Sequence, residues 1–134
     1  MLYGLKMKRA RPSVKAVVTF LTTEDGGRQI PPDLNSGIYR PHIVIQSPDV
    51  RAAIFDADGM SRETYQGVVF VGGPGDYRLG ASVKVSLELR HFPDVPYDDV
   101  VPGATFTVRE GHRVVAHGQI ESRSEPLPPD EHAV

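Results

Sequence analysis

Proline and glycine interrupt this chain so often that little room is left for a long helix. Twelve prolines and thirteen glycines fall among 134 residues, and the apolar runs between them are short. Several of those runs alternate. In residues 81–91, Val83, Val85, Leu87 and Leu89 share one side, and Lys84, Ser86, Glu88 and Arg90 share the other. A period of two marks a half-buried strand. Ala104, Phe106 and Val108 alternate in the same way with Thr105, Thr107 and Arg109. Val114, Ala116, Gly118 and Ile120 continue the pattern after Gly111-His112. These two runs predict a hairpin with a short, glycine-enabled turn.

Residues 14–21 are rich in Val, Thr and Phe, and their less regular alternation predicts a strand buried on both faces. Residues 42–46 form a short strand with Ile43 and Ile45 on one side, and residues 52–55 and 67–71 complete the set. Six or seven short strands separated by Pro/Gly turns predict an all-β fold, a barrel or a sandwich. A closed barrel leaves no exposed edge to protect. Two long loops stand out, residues 22–37 and 72–80, and loops of such length in compact domains are often functional.

The length suits one domain with an ordinary core. The barrel is expected over residues 13–122, between a flexible basic segment (1–12) and a flexible acidic tail (123–134). Lys6, Lys8, Arg9, Arg11 and Lys15 have no acid among them, whereas Glu121, Glu125, Asp130 and Glu131 face a single Arg123. The net charge of −2 is not that of a protein that coats nucleic acid indiscriminately.

Catalytic patterns are missing from the sequence. There is no cysteine, hence no disulfide, thiolate nucleophile or Cys-based metal site. Gly72-Gly73-Pro74-Gly75 lacks the Gly-Lys-Ser/Thr of a phosphate loop and precedes a strand. Asp56-Ala57-Asp58-Gly59 has its glycine in the wrong frame for a calcium loop. His42, His91, His112, His117 and His132 make no helical ligand pair, and Asp98-Asp99 sits in a proline-rich loop. No enzyme activity, cofactor or metal is therefore expected. No apolar run approaches a membrane span and no secretory pattern opens the chain, so the expected location is cytoplasmic.

One ordered set of motifs remains. Gly26-Gly27-Arg28 follows a strand, Tyr39-Arg40-Pro41 opens the next, and Arg109-Glu110-Gly111-His112-Arg113-Val114 makes the final hairpin. In this order and at these distances they resemble the C-terminal (third) β-barrel domain of translation elongation factor Tu, over roughly residues 14–121. That family carries a Gly-Gly-Arg loop, a Tyr-Arg-Pro strand start and an Arg-Glu-Gly-Gly-Arg hairpin. The resemblance implies a closed six-stranded, or slightly larger, antiparallel barrel of Greek-key type. It also implies that residues 53–78 are longer than the family's equivalent, and that residues 79–82 stand where the family has Pro-Gly-Asp. No nucleotide motif accompanies it, so GTP hydrolysis is not implied.

The resemblance further implies a binding surface. It places tRNA-facing positions at Gln29, His42 and Gly111, and less tightly at Arg51 and His91, with Arg40, His112 and Arg113 beside them in the motifs. Side chains at Gln29, His42 and Arg51 can donate to a phosphate or a ribose hydroxyl, and Gly111 allows close backbone approach. The expected partner is tRNA-like RNA or a protein of the translation apparatus. The alternative is a protein–protein regulator that mimics the domain without binding RNA. A single module making few phosphate contacts binds weakly, and self-association would restore affinity through multivalency. Arg40, Arg109 and Arg113, with Tyr39, have a second reading as scaffold, paired with a carboxylate such as Glu110 or Glu121.

Overall fold

The computed structural model describes residues 10–126. Six strands form a closed antiparallel barrel: β1 (Ser13–Phe20), β2 (His42–Ile45), β3 (Gln66–Gly72), β4 (Ser82–Leu89), β5 (Thr105–Glu110) and β6 (Arg113–Ser124). Their order around the barrel is β1-β4-β3-β2-β5-β6. The consecutive strands β2, β3 and β4 pair side by side, and β1 returns beside β4 through the long connection 21–41, which is the Greek-key arrangement. The basic residues Lys6, Lys8 and Arg9 and the tail residues Asp130 and Glu131 lie outside the described residues.

Alternation builds the core. Val14, Ala16, Val18 and Phe20 of β1 meet Val85, Leu87 and Leu89 of β4, Val68 and Phe70 of β3, and Phe106 and Val108 of β5 in one buried cluster. Tyr97 and Val100, from the β4–β5 connection, join the same cluster. The Tyr97 hydroxyl donates to the Gly67 carbonyl at 2.6 Å and accepts from the His91 amide at 3.1 Å.

The structure departs from the sequence-based expectation at five places. β1 is buried on one face, because Ser13, Lys15, Val17 and Thr19 all point outward. Residues 52–55 are not a strand. They belong to the β2–β3 connection, where a single bridge joins Phe55 to Ser61, and an irregular segment rich in Asp and Gly satisfies its amides from the Asp56 carboxylate instead. In the hairpin, a register shift between Val108 and Arg109 puts Val115, rather than Val114, into the core cluster. β6 continues to Ser124, past the boundary at 122, and the Arg123 guanidinium donates to the Tyr97 carbonyl at 2.6 Å. Finally, Thr107 and Arg109 point outward, yet both are fully buried, because the β2–β3 connection covers that face.

Candidate functional site

The three sequence motifs meet at one end of the barrel. Arg28 of the Gly-Gly-Arg loop binds Glu110 at 2.6 Å, and the Tyr39 hydroxyl donates to the same carboxylate oxygen at 2.7 Å. The Arg28 guanidinium also lies 5.3 Å from the centre of the Tyr39 ring. Burial and the neighbouring carboxylate push the Tyr39 phenol far above its ordinary range, so it remains a donor. On the other side of the turn, Arg113 donates to the carbonyls of Gly26 and Gly27. A side chain at position 27 would collide with the Leu21 carbonyl. Here the motif residues tie the β1–β2 loop to the β5–β6 turn.

Arg109, one position earlier, points the opposite way. It has no exposed surface and is the largest fully buried side chain. Its guanidinium reaches Glu63 at 2.5 Å, Gln46 at 2.8 Å and the Tyr65 hydroxyl at 2.7 Å, and its Nε donates to Thr107 at 3.0 Å. Every donor is directed at an acceptor, as burial of a charge requires. Burial alone would raise the Glu63 pKa; the bonds from Arg109, Gln46 and the Ile54 amide outweigh it and bring the carboxyl down to about 2. This ion pair clamps the β2–β3 connection onto β5.

Above the clamp runs a series of rings. Phe55 meets His112 at 5.4 Å and 74°, His112 meets Tyr65 at 5.5 Å and 85°, and Tyr65 meets His42 at 6.3 Å and 66°. The Tyr65 hydroxyl also lies 3.0 Å from His112 Nδ1. Past His42 lies the His91 ring, seated over Gly67. Gly67, paired with His42 across the sheet, has no side chain, and a Cβ there would sit 2.8 Å from His91 Nε2 and 3.8 Å from His42 Nε2. Burial holds the His42 imidazole below the usual histidine range, and the electrostatic influence of Arg90 and His91 lowers it further.

The positions named from the sequence separate into two groups. His42, His91 and His112 fall along the ring series, with Gly111 in the turn next to them. Arg113 and Arg40 bond to backbone carbonyls, Arg40 to that of Gly37 at 3.0 Å. Gln29 is exposed beside Arg28. Arg51 is turned back onto the Pro48 and Val50 carbonyls, and its charge helps burial lower the His117 pKa. Sequence reasoning missed Phe55, Tyr65, Glu63 and Arg90. Only Arg90 carried a signal, as an outward residue on a clear strand pattern; the others lie in an irregular connection without periodicity.

A cleft of about 540 Å³ opens between the loops 31–35 and 74–77. Tyr77 donates to the Pro32 carbonyl at 2.5 Å and Asn35 exchanges two bonds with Gly73, bracing its walls. Its carboxylates are Asp33 and Asp76. Asp33 Oδ1 already accepts from the Asn35 and Ser36 amides, and burial pushes the Tyr77 phenol up to about 12. No activated nucleophile results. Among the described residues, no group of three or more His, Asp or Glu side chains could hold a metal ion. No protein-family model and no curated protein matches this chain.

Proposed function

We propose that this chain is a non-catalytic binding module whose surface around the Gly111 turn and the His42–His91 pair contacts the backbone of tRNA-like RNA. The observation that carries this reading is the approach of His42 and His91 to one another over Gly67, with the Arg90 charge acting on His42. Imidazole N–H groups and a guanidinium suit phosphate oxygens. Arg90, Arg51 and Arg113 form no ion pair among the described residues. The resemblance of the three motifs to the C-terminal barrel of elongation factor Tu adds a reason to choose tRNA-like RNA, and with it a cytoplasmic setting.

Titration of bulk tRNA at low and at moderate salt tests the reading. Two or three phosphate contacts on duplex RNA give a log–log salt slope of roughly −2 to −3. Absence of binding at low salt, or binding indifferent to the double variant His42→Ala/His91→Ala, overturns it.

A second reading is supported by a different observation. Ile54, Phe55 and Met60 expose 51%, 48% and 64% of their surface on one connection, which suits a protein partner of the translation apparatus. Recovery of such a protein by the immobilised chain after RNase treatment supports that reading. Loss of all bound protein with RNase removes it.

A further inference from the structure

We infer that Phe55, His112 and Tyr65 form a stacking site for unpaired bases, so that RNA held by this surface is single-stranded where it crosses the Gly111 turn. The inference rests on the RNA reading above and adds the class of RNA.

Phe55 is the starting point. Nearly half of its surface faces solvent, yet its loop is braced. Asp56 Oδ1 accepts from the Asp58 and Met60 amides at 3.0 and 2.9 Å, its other oxygen binds Arg62 at 2.7 Å, and Phe55 bridges to Ser61. Burial of this ring by the chain itself would lower the free energy. The chain instead fixes it in the open, which reduces the ordering cost of binding a ligand there.

The neighbouring rings are fixed as well. The Tyr65 hydroxyl is held by Arg109, and its ring lies 5.3 Å from the Arg109 guanidinium. The contacts Phe55–His112 and His112–Tyr65 are near perpendicular. An edge-to-face contact consumes at most one face of one ring, so faces remain for a base to stack on.

Charge favours RNA over an apolar protein surface. Two carboxylates at the rings are matched internally, Glu63 by Arg109 and Asp56 by Arg62. The ring series runs on through His42 to His91 and the Arg90 charge. A stacking strip that runs on to imidazole donors and a guanidinium charge is the combination that single-stranded RNA uses, bases on the rings and backbone along the donors.

Anisotropy with labelled oligouridine and oligoadenine, set against duplex RNA at the same low salt, tests this. The unmodified chain is expected to prefer the single strands. Phe55→Ala and Phe55→Leu should each weaken single-strand binding about 5- to 100-fold and leave duplex binding within about twofold, while Phe55→Trp retains it. Thermal melting establishes that each variant is folded. Unchanged single-strand affinity in Phe55→Ala, equal loss on single strand and duplex, or full affinity in Phe55→Leu overturns the stacking site. If His42→Ala/His91→Ala still weakens duplex binding, the RNA reading survives that failure. If the unmodified chain binds neither RNA form, both readings fall.

Discussion

Arg28 and Glu110 are joined at 2.6 Å although 82 positions separate them, and Tyr39 donates to the same Glu110 oxygen. The Gly-Gly-Arg, Tyr-Arg-Pro and Arg-Glu-Gly motifs are therefore one structural node. Both members of the pair are under a third exposed, so the bonds are partly shielded from water. Glu110→Ala is expected to cost about 1–3 kcal/mol and Tyr39→Phe about 1 kcal/mol. The double variant should cost less than their sum, since the two share one acceptor. Urea denaturation of the four proteins measures all three quantities.

The buried clamp should be worth more. Glu63→Ala leaves the Arg109 guanidinium without a counterion in a site closed to solvent, and loss of one partner of a buried pair costs about 3–5 kcal/mol. Replacement of Arg109 by Met together with Glu63 by Gln should recover part of that loss. The comparison of denaturation midpoints, with and without the second substitution, checks both statements.

Acid should act through the same carboxylate. The Glu63 pKa falls from an ordinary 4.5 in the unfolded chain to about 2 in the barrel. A depressed carboxyl contributes its full stabilisation above the unfolded value and loses it as pH falls through the folded one. Stability should therefore decline from about pH 4.5 towards pH 2, and Glu63→Gln should flatten that part of the profile. Denaturation series across this range supply the measurement.

Gly26 and Gly27 separate two roles of glycine in one turn. Gly26 has φ of +92° with open space around it, and Gly27 would place a Cβ 2.0 Å from the Leu21 carbonyl oxygen. Gly26→Ala pays only the left-handed backbone term, about 1–2 kcal/mol. Gly27→Ala meets backbone that cannot yield locally, so it should destabilise more and loosen the Arg113 contacts. Thermal midpoints rank the two variants, and amide exchange at the β5–β6 turn reports the loosening.

Proton uptake should accompany RNA binding. Burial, with the electrostatic influence of Arg90 and His91, keeps His42 below the usual histidine pKa in the free protein, and a bound phosphate favours its charged form. Affinity should rise as pH is lowered from about 7.5 to about 5.5, and level off once the free imidazole is protonated. His42→Ala should reduce the slope. Gly67→Ala, whose Cβ displaces the exposed His91 ring, should weaken binding without loss of the fold.

The barrel was legible because alternation is a local property. Val83, Val85, Leu87 and Leu89 show the inward face of β4 in the bare sequence, and Gly111 marks the hairpin turn. The motif set was legible as a pattern, and the structure supplies its physical cause in the Arg28–Glu110–Tyr39 node. His42 and His112 were named from motifs and His91 less tightly from the same resemblance, which said nothing of their mutual approach. Phe55 and Tyr65 were not legible: no period assigns a face to a residue in an irregular connection.

By itself, the sequence determined which residues of each strand face inward, where the chain must turn, and that no cysteine is present. Those features depend on backbone period and residue type, and both are local. Only the tertiary structure decided what covers the outer face. It buried Arg109 against Glu63 from 46 positions away, drew the Gly26 loop onto Arg113, and set His91 beside His42 across a strand whose facing residue has no side chain. Barrel closure and the path of the β2–β3 connection fix such approaches, and no local period encodes them.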